Sequence, residues 1–281
     1  MKALDRRIRK IVPSTAVLSR SKAFHALSLL SDAILRPLWR LSTRQPLPPV
    51  RLLVRTGVGN SLLFPHYYYL TASSAIWLHF FSQGYANLES DVVDIGCGVG
   101  KSAVALRDFQ YMGTRFEGSY HGFDVDPEMV AWCRAHFPPD RFRFTRVDAR
   151  STVYNPGGTV EAQRLDRPDA SADLVFSQSL FSHLLENDIR QTLAESRRIL
   201  RPGGVMLMTF FCMDDLRALD LLGGRWSFSH GIGPAFVENR SYPESAVAYA
   251  RDWMLAAANA AGFREARVIL PSYQSTLECR P

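Results

Sequence analysis

The sequence predicts an α/β fold in which helices cover both faces of a mostly parallel sheet. From residue 90 onward, short apolar runs alternate with helix-length amphipathic segments, which is typical of strands and helices that follow one another in a parallel sheet. One apolar run ends in a glycine-rich turn that leads into a helix. The chain has 281 residues, of which 47% are hydrophobic, so it can bury a substantial core.

The apolar runs place the predicted elements along the chain. Strands are expected near residues 91–95, 120–124, 142–146, 173–177 and 204–210. Helices fit between and after them, near residues 101–110, 127–137, 186–199 and 245–261. Gly262 can end the last helix. Two β-rich runs, REARVILP and YQSTLEC, close the chain and are spaced as antiparallel neighbours.

Residues 1–50 are predicted to form a basic helical extension, and residues 51–281 the main domain, because the Pro-rich segment QPLPPVR (45–51) cannot continue a helix. Residues 1–55 contain twelve Lys and Arg residues against two acidic residues. Apolar residues at steps of three or four predict an amphipathic helix with one apolar stripe. The stripe consists of Phe24, Leu27, Leu30, Ile34, Leu38 and Leu41. It can pack on the main domain or enter a membrane surface.

Composition argues against several other classes of protein. The apolar stretch 23–31 is far shorter than the ~20 residues that span a bilayer. The start of the chain is too polar for a secretory signal, although an Arg-rich organellar transit peptide fits it. The four cysteines show neither a Cys-x-x-Cys pair nor zinc-ligand spacing, so no metal site is predicted. We therefore expect a cytoplasmic protein, with a peripheral membrane contact through residues 1–44 as an alternative.

The segment DVVDIGCGVGKSAVAL is the most informative part of the sequence. An apolar strand runs into Gly96, Gly98 and Gly100 before a helix, which is a nucleotide-binding arrangement. Glycine lets the backbone turn tightly and approach a ligand without a Cβ in the way. A dinucleotide fingerprint would place its third glycine at position 101, which is Lys101 here. This spacing, and the absence of a Tyr-x-x-x-Lys motif, disfavour an NAD-dependent oxidoreductase.

The stretch VVDIGCGVG resembles the first motif of class I S-adenosylmethionine-dependent methyltransferases, in which an acidic residue stands two positions before Gly-x-Gly-x-Gly. FDVDPEMV, RVDAR, SADLVFSQSL and RRILRPGG resemble the later motifs of that family, in order, so the resemblance covers roughly residues 90–210. It implies a doubly wound seven-stranded sheet whose last strand is antiparallel. The cofactor that it implies is S-adenosylmethionine.

The resemblance also implies the cofactor contacts. Asp124 would accept hydrogen bonds from the ribose hydroxyls, the glycine loop would support the methionine part, and Asp148 with Ala149 would hold the adenine. The full set of implied contacts is Asp94, Gly96, Cys97, Gly98, Gly100, Asp124, Val125, Asp148, Ala149 and Ser177.

His183 is the candidate catalytic base, because it follows the fourth strand and an imidazole has a suitable pKa. A structural role for this histidine is the alternative. Candidate contacts to the methyl acceptor are His66, Tyr69, Phe181 and Trp226. For His66 and Tyr69 an aromatic core cluster is an equally good explanation. Residues 211–243 form a long segment that we expect to cover the acceptor.

The predicted function is transfer of a methyl group from S-adenosylmethionine to a hydroxyl of a small molecule, such as a glycan, a lipid-linked intermediate or a secondary metabolite. DNA is not an expected substrate, because the Asn/Asp-Pro-Pro-aromatic segment of DNA amino-methyltransferases is absent after the fourth strand. RNA or protein methylation stays open, since the basic extension suits an anionic partner. A non-catalytic binding module on the same fold is the remaining alternative.

Overall fold

The computed structural model describes residues 22–43, 45–56, 65–71, 73–111, 113–151, 155–159, 164–223 and 226–281. In this part of the chain the α-helices are α1 (Lys22–Ser42), α2 (Val50–Arg55), α3 (Pro65–Thr71), α4 (Ser74–Ser82), α5 (Lys101–Arg107), α6 (Pro127–His136), α7 (Glu186–Ile199), α8 (Met213–Ala218) and α9 (Arg251–Ala260). The strands are β1 (Asp91–Ile95), β2 (Gln110–Tyr111), β3 (Thr114–Arg115), β4 (Ser119–Asp124), β5 (Phe142–Arg146), β6 (Ala172–Ser177), β7 (Leu200–Cys212), β8 (His230–Ile232), β9 (Ala235–Val237), β10 (Val247–Tyr249), β11 (Glu265–Ile269) and β12 (Ser275–Arg280).

The central sheet confirms the predicted topology. Strands β5, β4, β1, β6 and β7 are parallel neighbours in that order. Strand β12 pairs antiparallel with β7, and β11 pairs antiparallel with β12. The strand order reverses between β4 and β6 on either side of β1, which places the switch point of the sheet at the glycine turn.

Helices lie on both faces of this sheet. Val92 and Val93 are adjacent on β1, yet they belong to different buried clusters, as the alternation of side chains along a strand requires. The cluster around Val92 includes apolar residues of α4, α5 and α6, and the cluster around Val93 includes those of α7 and α9. Each face of the sheet is therefore shielded from water by its own helices.

The segment after β7 adds three short strands to the edge of the sheet. Strand β10 runs parallel to the end of β7, and β9 and β8 follow it as antiparallel neighbours. A small core of buried apolar residues, which includes Phe211, Leu216 and Phe228, packs beneath them. The helix predicted for 245–261 therefore begins only at Arg251, because residues 247–249 are buried in β10.

The N-terminal helix packs on the domain through its polar face. Both carboxylate oxygens of Asp32 accept a hydrogen bond from the Val50 amide at 3.1 Å, and Arg36 donates to the Leu47 carbonyl at 2.7 Å. Leu47 and Leu53 are buried in the core. The apolar stripe faces solvent instead, and the side chains from Leu27 to Leu41 that form it are 54% to 87% exposed. The side chain of Phe24, also predicted in the stripe, lies outside the part of the chain that the structure describes. None of the described helices is long and apolar enough to cross a bilayer.

Candidate active site

The glycine turn at the end of β1 adopts the left-handed conformation that its glycines permit. Gly96 has φ +80° and Gly98 has φ +54°, where an L side chain is strained. A Cβ built on Gly98 would lie 2.8 Å from Cγ2 of Thr56, and one built on Gly96 would lie 3.4 Å from Leu180. The residue after α2 and the loop after β6 thus close over the turn from two sides.

Asp94 lies buried beneath this turn. Its carboxylate accepts a hydrogen bond from the Tyr120 hydroxyl of β4. Burial raises the pKa of Asp94 to about 7, the hydrogen bond from Tyr120 opposes that rise, and the nearby charge of Asp124 adds to it. Lys101, at the start of α5, is close enough to favour the charged form of Asp94. Asp94 therefore changes its charge near neutral pH.

Asp124 ends β4 and holds the turn to the following helix. Its Oδ2 accepts a hydrogen bond from the Gly98 amide at 2.7 Å, and its Oδ1 accepts one from the Asp126 amide at 2.9 Å. Each carboxylate oxygen has two lone pairs, so each retains acceptor capacity for a ligand hydroxyl. Burial raises the pKa of Asp124 to about 6, although the backbone hydrogen bonds oppose the rise.

The segment that follows β5 folds back on Asp148. Asn155 donates to Oδ1 of Asp148 at 3.2 Å and to the Ala149 carbonyl at 3.0 Å, and Arg146 donates to the same Oδ1 at 2.9 Å. The amide of Thr159 donates to the Asp148 carbonyl at 2.8 Å. Asp148 and Ala149 are thus fixed at the same edge of the sheet as Asp124.

Unpaired polar atoms mark the end of β6. The Ser177 hydroxyl and Nε2 of Gln178 are buried and have no hydrogen-bond partner among the described residues. The next residue, Ser179, adopts φ +63°, a left-handed conformation that is uncommon for non-glycine residues. Buried polar groups are normally satisfied, and these two atoms are available to a ligand at the end of β6.

His183 lies in a short 3₁₀ turn, Phe181–His183, directly after these residues. Its Nδ1–H donates to the Glu244 carbonyl at 2.8 Å, and the Glu244 carboxylate accepts from the Ser151 hydroxyl at 2.6 Å. Burial lowers the pKa of His183, although the Glu244 carbonyl opposes this effect. The ring is therefore neutral at neutral pH, with its proton on Nδ1 and its basic lone pair on Nε2.

Comparison with known proteins shows a similarity to methyltransferases over part of the chain. A family model described as a methyltransferase domain matches residues 93–208. A probable S-adenosylmethionine-dependent methyltransferase of Mycolicibacterium smegmatis is 35% identical over 119 residues, which are 42% of this chain and 37% of that protein. Residues 93–208 therefore match a methyltransferase domain, and the dependence on S-adenosylmethionine in that relative's name agrees with the predicted cofactor.

A second curated relative and two solved structures are also similar to this chain. A malonyl-[acyl-carrier protein] O-methyltransferase of Hahella chejuensis is 27% identical over 130 residues, which are 46% of this chain and 39% of that protein. The matches to both curated relatives thus span well under half of those proteins. Among solved structures, a Nostoc punctiforme protein shares the fold at 14% identity and a TM-score of 0.53, covering 84% of this chain and 61% of that one. A Pyrococcus horikoshii protein shares the fold at 18% identity and a TM-score of 0.50, and the match covers 76% of this chain and 95% of that one.

The methyltransferase domain brings most of the implied cofactor residues to one edge of the sheet. Asp94 and the glycine turn end β1, Asp124 and partly buried Val125 end β4, and Ser177 ends β6. Cys97 is buried within the turn, with its side chain beside Gly122. The absence of a Cβ in the turn, the acceptor capacity of Asp124 and the unpaired atoms near Ser177 suit a nucleoside joined to an amino acid. The individual contacts stay predictions.

Three of the candidate acceptor contacts are core residues. Tyr69 and Phe181 are fully buried, and the Tyr69 hydroxyl approaches the Val99 carbonyl at 3.4 Å. His66 is also buried, with Nε2 at 3.0 Å from the Pro48 carbonyl. These contacts favour the packing role that the sequence left open for His66 and Tyr69. We therefore leave all three out of the proposed acceptor surface.

Trp226 lies in an aromatic cluster at the carboxyl edge. Its indole N–H donates to the Tyr273 hydroxyl at 2.6 Å, and its ring packs against Phe211 and Phe228 at centroid distances of 5.2 and 5.7 Å. Gln274, the next residue after Tyr273, accepts a hydrogen bond from the Ser179 hydroxyl at 2.8 Å. The cluster thus lies beside the loop that follows β6.

Sequence reasoning missed Arg55 and Glu244. Arg55 pairs with Asp126 at 2.6 Å and with Glu128, which fixes α2 against the start of α6. Glu244 orients His183 from 61 residues further along the chain. Both are single charged residues outside any motif, so only the folded chain reveals their partners. Among the described residues, no group of three or more His, Cys, Asp or Glu side chains could hold a metal ion.

Proposed function

We propose that this protein transfers a methyl group from S-adenosylmethionine to a hydroxyl group of a small molecule. His183 carries the proposal, because it is a neutral imidazole directly after the strand that faces the reactive methyl in this family. A hydroxyl oxygen is a weak nucleophile until a base removes its proton. The N–H donated to the Glu244 carbonyl fixes the tautomer, so in this proposal Nε2 carries the lone pair that accepts the proton.

The proposed chemistry is an in-line displacement. The acceptor oxygen forms a bond to the methyl carbon, the carbon–sulfur bond breaks with its electron pair remaining on sulfur, and the acceptor proton moves to Nε2 of His183. The protein's task is to align the two reactants and exclude water, because alignment supplies most of the rate enhancement in such a transfer. S-adenosylmethionine supplies the activated methyl group.

The aromatic cluster supports a small, partly apolar acceptor. Phe211 and Phe228 are buried, whereas Tyr273 is 40% exposed, so the cluster offers a ring surface at the edge of the domain. Aromatic rings are common walls of small-molecule sites. Segment 211–243 contributes Trp226 and Phe228 to this surface, which supports the proposal that the segment covers the acceptor. The O-methyltransferase named among the relatives also favours oxygen as the acceptor atom.

RNA or protein methylation is the second candidate, favoured by the basic extension alone. A panel of acceptors discriminates the two, with labelled S-adenosylmethionine and hydroxylated glycans, phenols and lipids set against total RNA and protein. Mass spectrometry then locates the transferred methyl group. We expect an O-methylated small molecule; a methyl group on a nucleobase or a protein side chain would instead establish the second candidate.

His183→Gln tests the role of the base once an acceptor is known. Loss of general-base catalysis lowers kcat roughly 10²- to 10⁴-fold, while the Kd for S-adenosylmethionine should stay within about twofold. His136→Gln is a matched control, because that histidine ends α6 and its Nδ1 lies against the Trp132 carbonyl. A wild-type kcat in His183→Gln would mean that the imidazole has only a structural role.

A further inference from the structure

We propose that α1 binds the surface of an anionic membrane, with its apolar stripe inserted among the lipids. The stripe is taken here as its described members, Leu27, Leu30, Ile34, Leu38 and Leu41. This inference concerns where the protein acts and does not depend on which acceptor it methylates. It rests on the orientation of α1, on the exposure of the stripe and on charge.

The helix is packed with its polar side inward. Ser28, Asp32 and Arg36 follow one another at steps of four and so share one face of α1. Ser28 is fully buried, Asp32 accepts the Val50 amide, and Arg36 donates to the Leu47 carbonyl. These contacts fix the rotation of the helix on the domain. An amphipathic helix of a globular domain normally buries its apolar face, so this orientation requires another explanation.

The exposed apolar surface of the chain is concentrated on this helix. Among the described residues, thirteen large apolar side chains are exposed and six of them are on α1. The stripe extends over roughly 20 Å of helix at 1.5 Å per residue. Isolated exposed apolar residues are ordinary on protein surfaces, whereas a continuous patch marks an interaction surface.

Charge selects an anionic lipid surface as the occupant. Lys22 and Arg40 are exposed on α1, and residues 1–55 contain twelve basic residues against two acidic ones. A second copy of this chain would bring two strongly basic segments together, and like charges repel. Anionic headgroups attract Lys and Arg, and helices that lie in the bilayer interface combine a basic flank with an apolar stripe.

The docking helix is joined to the cofactor edge of the domain through one short helix. Asp32 of α1 binds the first amide of α2, and Thr56, the residue after α2, lies against Gly98 of the glycine turn. Arg55 pairs with Asp126 at the start of α6. A membrane that binds α1 therefore lies near the edge where the methyl group is transferred, which suits an acceptor drawn from the lipid surface.

Flotation with vesicles tests the proposal on the full-length protein. Vesicles of phosphatidylcholine alone are compared with vesicles that also contain phosphatidylglycerol, with wild type and Ile34→Asp/Leu38→Asp. The matched control is Leu78→Asp/Leu270→Asp, which changes two side chains that are 58% and 52% exposed elsewhere on the domain. Circular dichroism shows in each variant that the domain is folded, and calorimetry with S-adenosylmethionine measures cofactor binding separately.

We expect wild type and control to bind anionic vesicles and the stripe variant to bind at least about tenfold more weakly, since two apolar anchors are lost. Binding should also weaken as salt rises from about 0.1 M to about 1 M. Wild type that does not float, or a stripe variant that floats equally well, would overturn the proposal. So would a wild-type dimer that ignores vesicles and dissociates in the stripe variant. If none of the proteins binds S-adenosylmethionine, that result counts against the proposed function. The flotation result would still decide the docking proposal by itself.

Discussion

Asp124 should make cofactor binding dependent on pH. Its carboxylate accepts the amides of Gly98 and Asp126 and is expected to accept the ribose hydroxyls as well. Burial raises its pKa to about 6. Only the ionised form offers all of its lone pairs to donors, so the protonated enzyme should bind S-adenosylmethionine less well.

The magnitude follows from the pKa. If only the ionised form binds, the apparent Kd doubles at a pH equal to the pKa and rises about tenfold for each pH unit below it. Between about pH 7 and about pH 5 the Kd should therefore rise roughly tenfold, or ~1.4 kcal/mol. Asp124→Asn should weaken binding at pH 7 by ~1 to 3 kcal/mol, the scale for hydrogen bonds to a charged group.

Folding stability should change in the opposite direction. The folded pKa of Asp124 is raised, so between about pH 6 and about pH 4 the folded chain keeps a proton that the unfolded chain releases. This contribution to the free energy of unfolding is present at acid pH and is lost as the pH rises through about 6. The raised pKa of Asp94, about 7, acts in the same direction.

Titration calorimetry at about pH 5, 6, 7 and 8, with thermal melts of the free protein, measures both effects. In Asp124→Asn the change in Kd centred near pH 6 should disappear, because the titrating group is gone. An Asn variant that keeps the full pH dependence would show that another group controls binding. A wild-type Kd that is constant from pH 5 to 8 would refute the assignment of the ribose contact or of the raised pKa.

Two further predictions concern the turn and the helix that covers it. Gly98→Ala should destabilise the fold by ~1 to 3 kcal/mol, because φ is +54° and the new methyl group would meet Thr56. Gly113 has φ +83° but open space around it, so Gly113→Ala should lower the free energy of unfolding only by the backbone strain of ~1 kcal/mol. Arg55→Met breaks a nearly buried ion pair and should cost ~1 to 3 kcal/mol, whereas Arg51→Met, on the exposed side of α2, should cost less than ~1 kcal/mol. Chemical denaturation measures all four variants, and equal losses within either pair would contradict the assigned contacts.

The parallel core was predictable because its strands are short continuous apolar runs. β1 and β5 lie at the predicted residues, and α7 spans the predicted 186–199. Strands β8 to β10 were not predicted, because three-residue strands are too short to show alternation. Their stability comes from pairing with β7 and from the small core around Phe211, which depend on contacts distant in sequence.

The sequence likewise predicts some residues of the candidate site and not the contacts between them. The glycine turn and Asp124 stand in a motif whose spacing reflects local backbone geometry, so the sequence alone places them. The hydrogen bond from Tyr120 to Asp94 crosses between neighbouring strands, and Glu244 reaches His183 from a distant segment. Such contacts influence the pKa of Asp94 and fix the tautomer of His183, and no local pattern contains them.

The N-terminal helix shows why a correct periodicity does not determine a surface. The spacing of Leu30, Ile34 and Leu38 predicts an amphipathic helix under either alternative, because periodicity fixes only which residues share a face. The polar side of α1 faces the domain, where Ser28 is buried, Asp32 accepts the Val50 amide and Arg36 donates to the Leu47 carbonyl. If the stripe were buried instead, the hydrogen bond between the Val50 amide and the Asp32 carboxylate would be lost. The contacts of Asp32 and Arg36 are with residues beyond α1, so periodicity within the helix does not predict that the stripe is exposed.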